Sequence, residues 1–499
     1  MCLHRSDFQM KGYHMSHQTM PDHKTKIVAT IGPASDSPEM LERLIRAGLN
    51  IARLNFSHGD FTIHAGTIAR IRAAEKATGY RVAIMADLPG PKMRLGKIAP
   101  EPIHLVPGEN FTLTSEEIVG NQQRVNMSFK KLPQVVKPGN KLFLNDGLIQ
   151  LKVKQVVGPD VICEVLVGGE LRSKKGLNLP GIDLGISAFT EHDRACLEFA
   201  LNNGVDAISQ SFVETAADIE AVRSAARSLG TNPFIIAKIE RSDALEHFDE
   251  ILKASDGIMV ARGDLGVEVP IEEMAVIQKQ LIAKANHAGK PVITATQMLE
   301  SMISSRLPTR AESTDVANAI LDGTDCIMLS GESAMGHYPE EAVTMLASIA
   351  AFTEVNRFSA GRYFPKELPD QNPPASAAEA IGLMVEHALH TIPCSSIFVP
   401  TSTGNTARMI SRFKPAVWIV SMSHDPAICQ GLMFSYGVHP VLLANEPEKW
   451  SDFARSWLGV HQITGSIAML VAGPNALHPD YNHRLEFLRI GDKQEPTSV

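Results

Sequence analysis

The chain has 499 residues, 44% of them hydrophobic and 20% charged, with a formal net charge of −8. That length exceeds what one core fills and points to roughly three domains, while the negative balance argues against nucleic acid or an anionic membrane as the main partner and leaves only a local basic cleft open. No apolar run reaches the ~18–20 residues of a membrane span, and six scattered cysteines without a CxxC pair fit a reducing, cytoplasmic setting.

Residues 1–23 carry histidines and methionines but no apolar signal core, so they read as a disordered extension in which Met15 or Met20 is an alternative start. From residue 24 to 356, β runs at 24–32, 51–57, 81–88, 207–213, 234–240, 257–264, 291–296 and 326–331 alternate with helical patterns. The helical patterns are Met40–Ala47, Asp60–Ala77, His192–Asn202, Ala216–Ser228, Glu272–Ala288 and Ser313–Leu321. This predicts an α/β (β/α)8 TIM barrel over 24–88 and 186–356. Residues 89–185 interrupt it with short alternating runs such as Glu109–Thr114 and Lys141–Gly147, separated by Pro-Gly turns. They are expected to form an inserted all-β domain, a small β barrel acting as a lid. After the proline-rich 357–375 stretch, residues to 499 predict a C-terminal α/β domain. Its helices are expected at 376–391, 404–413 and 425–436, and its strands at 396–400, 416–421, 438–443, near 466–472 and at 485–490. All three tryptophans (418, 450 and 457) fall there.

In such a barrel the chemistry collects at the C-terminal ends of the strands. Those ends offer Arg53, Asn55 and Ser57 followed by His58, then Asp87 with Arg94 beyond it. Next come Lys238 and Glu240, Arg262-Gly263-Asp264, Thr296, and Ser330 with Glu332. Lys238 and Glu240 share one face of their strand because side chains alternate. Two carboxylates suit a hard divalent cation, so Glu240 and Asp264 are the candidate Mg²⁺ ligands. Arg53, Lys238 and Arg94 are the candidate anion holders. No Walker loop and no strand-linked GxGxxG occurs. The inventory leaves open a phosphotransferase, a Mg²⁺-dependent lyase or aldolase acting on a pyruvate enolate, and a silent sugar-phosphate sensor.

Several segments resemble the pyruvate kinase family: Thr25–Ser35, Ala52–Gly59, Ala237–Glu240, Val260–Glu268, Ala295–Met302 and Met328–Ala334. In this order and spacing they are specific, and the similarity runs from about residue 24 onward. The resemblance implies phosphoryl transfer from phosphoenolpyruvate to ADP, giving pyruvate and ATP, with Mg²⁺ (or Mn²⁺) on Glu240 and Asp264. It implies that Lys238 neutralises the migrating phosphoryl group, that Gly263 and Asp264 amides receive the substrate carboxylate, and that Thr296 relays a proton. Arg53 would hold the substrate phosphate, and Arg94, Lys175, Asn55 and His58 would serve the nucleotide. Lys175 and Asp146 also fit solvated surface charges, Thr296 a satisfied hydroxyl, and His58 a packing or capping group.

Relatives that use K⁺ ligate it through groups matching Asn55, Ser57, Asp87 and the Leu88 carbonyl, with an acidic residue where this chain has Lys92. The lysine is expected to stand in for K⁺. The stretch Thr401, Ser402, Thr403, Gly404, Asn405 and Thr406 joins a strand to a helix. By resemblance it would bind the phosphate of a sugar-phosphate or nucleotide effector, although a plain helix cap explains it equally well. The loop at 472–479 departs from the family's glycine-rich form, which disfavours a bisphosphate. A homotetramer is also implied by the resemblance.

Overall fold

The computed structural model describes residues 9–10, 13–14, 19–360, 376–473 and 482–490. Eight strands close a parallel barrel in sequential order: β1 (Lys26–Thr30), β2 (Leu49–Asn55), β3 (Ala83–Leu88), β4 (Ala207–Gln210), β5 (Phe234–Ile239), β6 (Gly257–Ala261), β7 (Val292–Ala295) and β8 (Cys326–Leu329). These strands are buried almost throughout, which is why their sequences are near-continuous apolar runs rather than alternating ones.

Crossover helices start and stop where their caps dictate. Ser37 Oγ accepts from Met40 N and Pro38 opens the Pro38–Ala47 helix, which ends at Gly48 with φ +119°. A Thr309/Glu312 capping box opens Arg310–Asp322, and Gly323 at φ +102° closes it.

The inserted segment is all-β apart from the one-turn helix Leu132–Val135. Its pairing gives a six-stranded sheet and a two-stranded ribbon (Ile103–Leu105 with Gly169–Leu171), and the segment at Arg94–Leu95 bridges to Gly176 beside one edge strand of the sheet and to Met127 beside the other. One face of the Ile149–Val157 strand is buried and the other exposed, and its Ile149, Leu151 and Val153 enter a core with Phe111, Val161 and Leu177. The C-terminal sheet has the order β11-β10-β9-β12-β13, with β9 Ser396–Pro400, β10 Trp418–Ser423, β11 Val438–Leu442, β12 Ile467–Ala472 and β13 Arg484–Arg489. Only β13 is antiparallel.

The chain forms two compact units, one of Met1–Ala86, Ala200–Ile208 and Leu281–Val499, the other of Asp87–Phe199 and Ser209–Gln280. Among the described residues no helix is long and apolar enough to cross a membrane.

Several boundaries differ from expectation. The run 257–264 is not one strand: β6 stops at Ala261 and a helix, Arg262–Glu268, follows directly. Its apolar Leu265 and Val267 imitate strand periodicity, while Gly263 and Gly266 leave the backbone free to turn. The strand expected at 207–213 ends at Gln210, and Phe212 takes φ +59°. Helices Pro339–Ala360 and Trp450–Val460 carry no counterpart in the predicted elements, and the first runs past the expected boundary at 356. In the expected extension, Gln9–Met10 pairs with Tyr13–His14 and His23 is buried. Residues 1–8, 11–12, 15–18, 361–375, 474–481 and 491–499 lie outside the described residues, and with them most of the proline-rich stretch and of the 472–479 loop.

Candidate active site

Lys238 is the last residue but one of β5, a strand otherwise apolar and buried. Its Nζ lies 2.6 Å from Ser211 Oγ, 3.2 Å from Glu240 Oε2 and 3.4 Å from Asp87 Oδ1. Ser209 Oγ donates to Asp87 Oδ1 at 2.7 Å, and the Phe212 amide donates to Glu240 Oε1 at 2.6 Å. Glu240 is 2% exposed, yet its buried Oε2 accepts no hydrogen bond. The chain therefore folds an ammonium and two carboxylates into one nearly dry pocket, at the ends of β3, β4 and β5.

Burial pushes the Glu240 carboxyl above the ordinary range; Lys238 opposes this, Asp264 adds to it, and the Phe212 amide also opposes it. Asp264 stands exposed in the first turn of the Arg262–Glu268 helix. Lys92 is pulled below the usual lysine range, first by desolvation and then by Lys238, with Asp87 and Glu240 acting the other way. The residue as a whole is exposed. Three carboxylates thus face two ammonium groups.

A divalent cation fits this imbalance. Glu240 Oε2, ion-paired with Lys238 but without a hydrogen bond, could supply one oxygen and Asp264 a second. Among the described residues no group of three or more His, Cys, Asp or Glu side chains is arranged as a metal site. Further oxygens would come from substrate or water, which is the habit of Mg²⁺.

Two family models cover most of the chain: the pyruvate kinase barrel domain over residues 22–343 and the pyruvate kinase alpha/beta domain over 379–466. The pyruvate kinase of Thermococcus litoralis is 50% identical over 422 residues, 84% of this chain and 89% of that protein. That of Clostridium perfringens is 43% identical over 457 residues, covering 90% and 96%. The chain belongs to the pyruvate kinase family. The crystal structure of a pyruvate kinase from Cryptosporidium parvum superposes with a TM-score of 0.85 at 36% identity, over 94% of this chain and 97% of that one. Pyruvate kinases are phosphotransferases that depend on a divalent metal and act on phosphoenolpyruvate and ADP.

Within the pyruvate kinase barrel, Arg53 is 8% exposed and donates through Nη1 to Thr30 Oγ1 at 2.8 Å. Thr296 closes β7 with φ +68°, and Gln297 follows at +53°. A β-branched residue in the left-handed region is strained, and such strain is retained where the surroundings over-determine the backbone. Glu332, 2% exposed, helps hold that turn by accepting from the Leu299 amide at 3.2 Å and from Ser330 N at 2.7 Å. Asn55 Oδ1 accepts from Ser57 N, and His58 is exposed with its carbonyl accepting from His64 Nε2. Leu88 is fully buried at the end of β3.

In the inserted domain, Arg94 and Lys175 come together. Arg94 bridges Gly176 across an antiparallel pair, and Leu95 N donates to the Lys175 carbonyl at 2.9 Å. Asp146 is an exposed turn residue at φ +56°.

In the 401–406 loop, Gly404 N donates to Thr401 Oγ1 and Asn405 N to Thr403 Oγ1, so two amides are capped by the loop's own hydroxyls. Arg408 Nη2 donates to the Thr403 carbonyl at 2.7 Å.

Sequence reasoning passed over Ser209 and Ser211. Their signal was legible: two hydroxyls spaced by two residues at the end of the fourth strand share one face.

Proposed function

We propose that this chain transfers the phosphoryl group of phosphoenolpyruvate to ADP, giving pyruvate and ATP, at the pocket around Lys238. The observation that carries the reading is the Lys238 ammonium held within 3.4 Å of Ser211, Glu240 and Asp87 in a pocket from which water is largely excluded. Phosphoryl transfer is catalysed by positioning and by charge neutralisation, and a dry ammonium does the second far better than a solvated one. Lys238 meets the negative charge spread over the migrating group and left on the enolate oxygen. Amides of Gly263 and Asp264, in the opening turn of a helix, receive the substrate carboxylate. Arg53 holds the substrate phosphate, and the Thr296 hydroxyl helps relay a proton to the enolate carbon, taking one up from water as it gives one. Arg94 and Lys175, neighbours in the inserted lid domain, bind nucleotide phosphates, with Asn55 and His58 contributing. Glu240 and Asp264 would hold Mg²⁺ or Mn²⁺, which would supply positive charge against the anionic substrate.

In this reading Asn55, Ser57, Asp87 and Leu88 are the counterpart of a K⁺ site, and the Lys92 ammonium supplies the monovalent charge. The domains are 24–88 with 186–356, 89–185 and 357–499. A sugar phosphate or a nucleotide acts as effector at Thr401–Thr406, beside Arg408. The enzyme is a cytoplasmic homotetramer.

Replacing Lys238 by Met tests the assignment. Turnover is expected to fall at least ~10²-fold, the scale for one preorganised electrostatic contact, with a smaller change in KM for phosphoenolpyruvate. A variant that keeps its kcat would remove Lys238 from the chemistry.

A further inference from the structure

Directly after Glu240 the chain places an arginine where burial is costly. Arg241 is 2% exposed. Its Nε lies 3.1 Å from Glu214 Oε1, and its Nη2 lies 2.8 Å from Asp243 Oδ2 and donates to the Ile182 carbonyl at 3.0 Å. The next residue repeats the connection: Ser242 Oγ accepts from Gly181 N at 3.2 Å and donates to Glu268 Oε2 at 3.4 Å.

Gly181 and Ile182 belong to the return path of the inserted domain, and Glu268 ends the helix that carries Gly263 and Asp264. Gly181 and Gly185 both take positive φ, +63° and +60°, with open space where a Cβ would sit. The same path is tied again at Ala188. There the amide donates to Asp218 Oδ1 at 3.1 Å and the carbonyl accepts from Gln210 Nε2 at 2.9 Å.

A buried guanidinium contributes little net stability, because desolvation offsets its ion pairs. Its planar fork does fix geometry, since several acceptors must lie along set directions. Here those acceptors come from three places: the loop after β4, the turn after β5 and the inserted domain's return path. We propose that Arg241, seconded by Ser242, is a positioning residue for phosphoryl transfer, fastening the Gly181–Ile182 turn of the inserted domain to the strand end that presents Lys238 and Glu240. It touches no reacting atom. It sets where the nucleotide-binding cations of the inserted domain stand relative to the phosphoryl acceptor site, and so rests on the kinase reading above.

The test uses the full-length enzyme with Arg241→Lys, Arg241→Met and Ser242→Ala, measured for kcat, for KM of each substrate and for hydrogen exchange of segment 177–188. A displacement of about 1 Å costs roughly 10²-fold in rate. For Arg241→Met we therefore expect kcat/KM for ADP to drop about 10²-fold, with faster exchange confined to 177–188 and KM for phosphoenolpyruvate little changed. Arg241→Lys keeps the charge but not the fork and is expected to recover only part of the loss. Ser242→Ala, a mild change that leaves the fold intact, is expected to shift KM for ADP in the same direction. Should Arg241→Met fail to fold, the lysine and alanine variants decide. Folded variants with a lowered Tm but unaltered kcat and KM for ADP would overturn the proposal and leave Arg241 a purely structural group. Absence of ADP-dependent turnover in the unmutated enzyme would instead strike the kinase reading itself.

Discussion

A carboxylate that is 2% exposed, as Glu240 is, pays for its charge in lost hydration unless a cation stands beside it. Lys238 supplies one such cation, 3.2 Å from Oε2, and that oxygen accepts no hydrogen bond. Lys92 bears on the same balance because it faces Lys238, Asp87 and Glu240 together. In the reading proposed above, a fixed ammonium at that point would make a mobile monovalent cation redundant. We expect activity in K⁺-free buffer close to that with K⁺ present, and expect Lys92→Glu to make turnover depend on added K⁺. A large stimulation of the unmutated enzyme by K⁺ would show that Lys92 does not play this part.

At the scale of elements, the barrel was legible because buried parallel strands leave near-continuous apolar runs, and all eight were found within a few residues of their ends. The ends were less legible because local chemistry overrides periodicity there. Asp264 looked like a strand terminus, but it opens a helix, since Leu265 and Val267 repeat the strand's apolar rhythm. Thr296 and Gln297 take a left-handed backbone that no residue type announces. Lys238, Glu240 and their shared face were readable, whereas the serine partners were missed, and so was the role of Arg241, whose acceptors lie far apart in sequence. The inserted domain was recognisable as all-β, but its division into a sheet and a ribbon depends on pairings that alternation alone does not select. Its stability rests on a core of its own, in which Leu151 is fully buried. Leu151→Ala is expected to cost about 2–5 kcal/mol, measured by denaturant titration. An unchanged midpoint would mean that the strand packs no core.

Across the molecule, the first unit joins barrel and C-terminal sheet by buried polar contacts rather than by a bare apolar seam. Asp325, just before β8, receives Lys414 Nζ at 2.7 Å and the Tyr436 amide at 2.9 Å, while Lys26 Nζ donates to the Val438 carbonyl at 2.7 Å. Trp418 sits within cation–π range of Lys24 and Lys26, at 5.6 and 5.3 Å. Its fluorescence therefore reports on this junction as well as on the C-terminal domain. The account still stands or falls on the reaction itself. Purified enzyme should form pyruvate from phosphoenolpyruvate with Mg²⁺ only when ADP is supplied, with one ATP appearing per pyruvate. Pyruvate formed at the same rate without ADP, or none formed with it, would contradict the account.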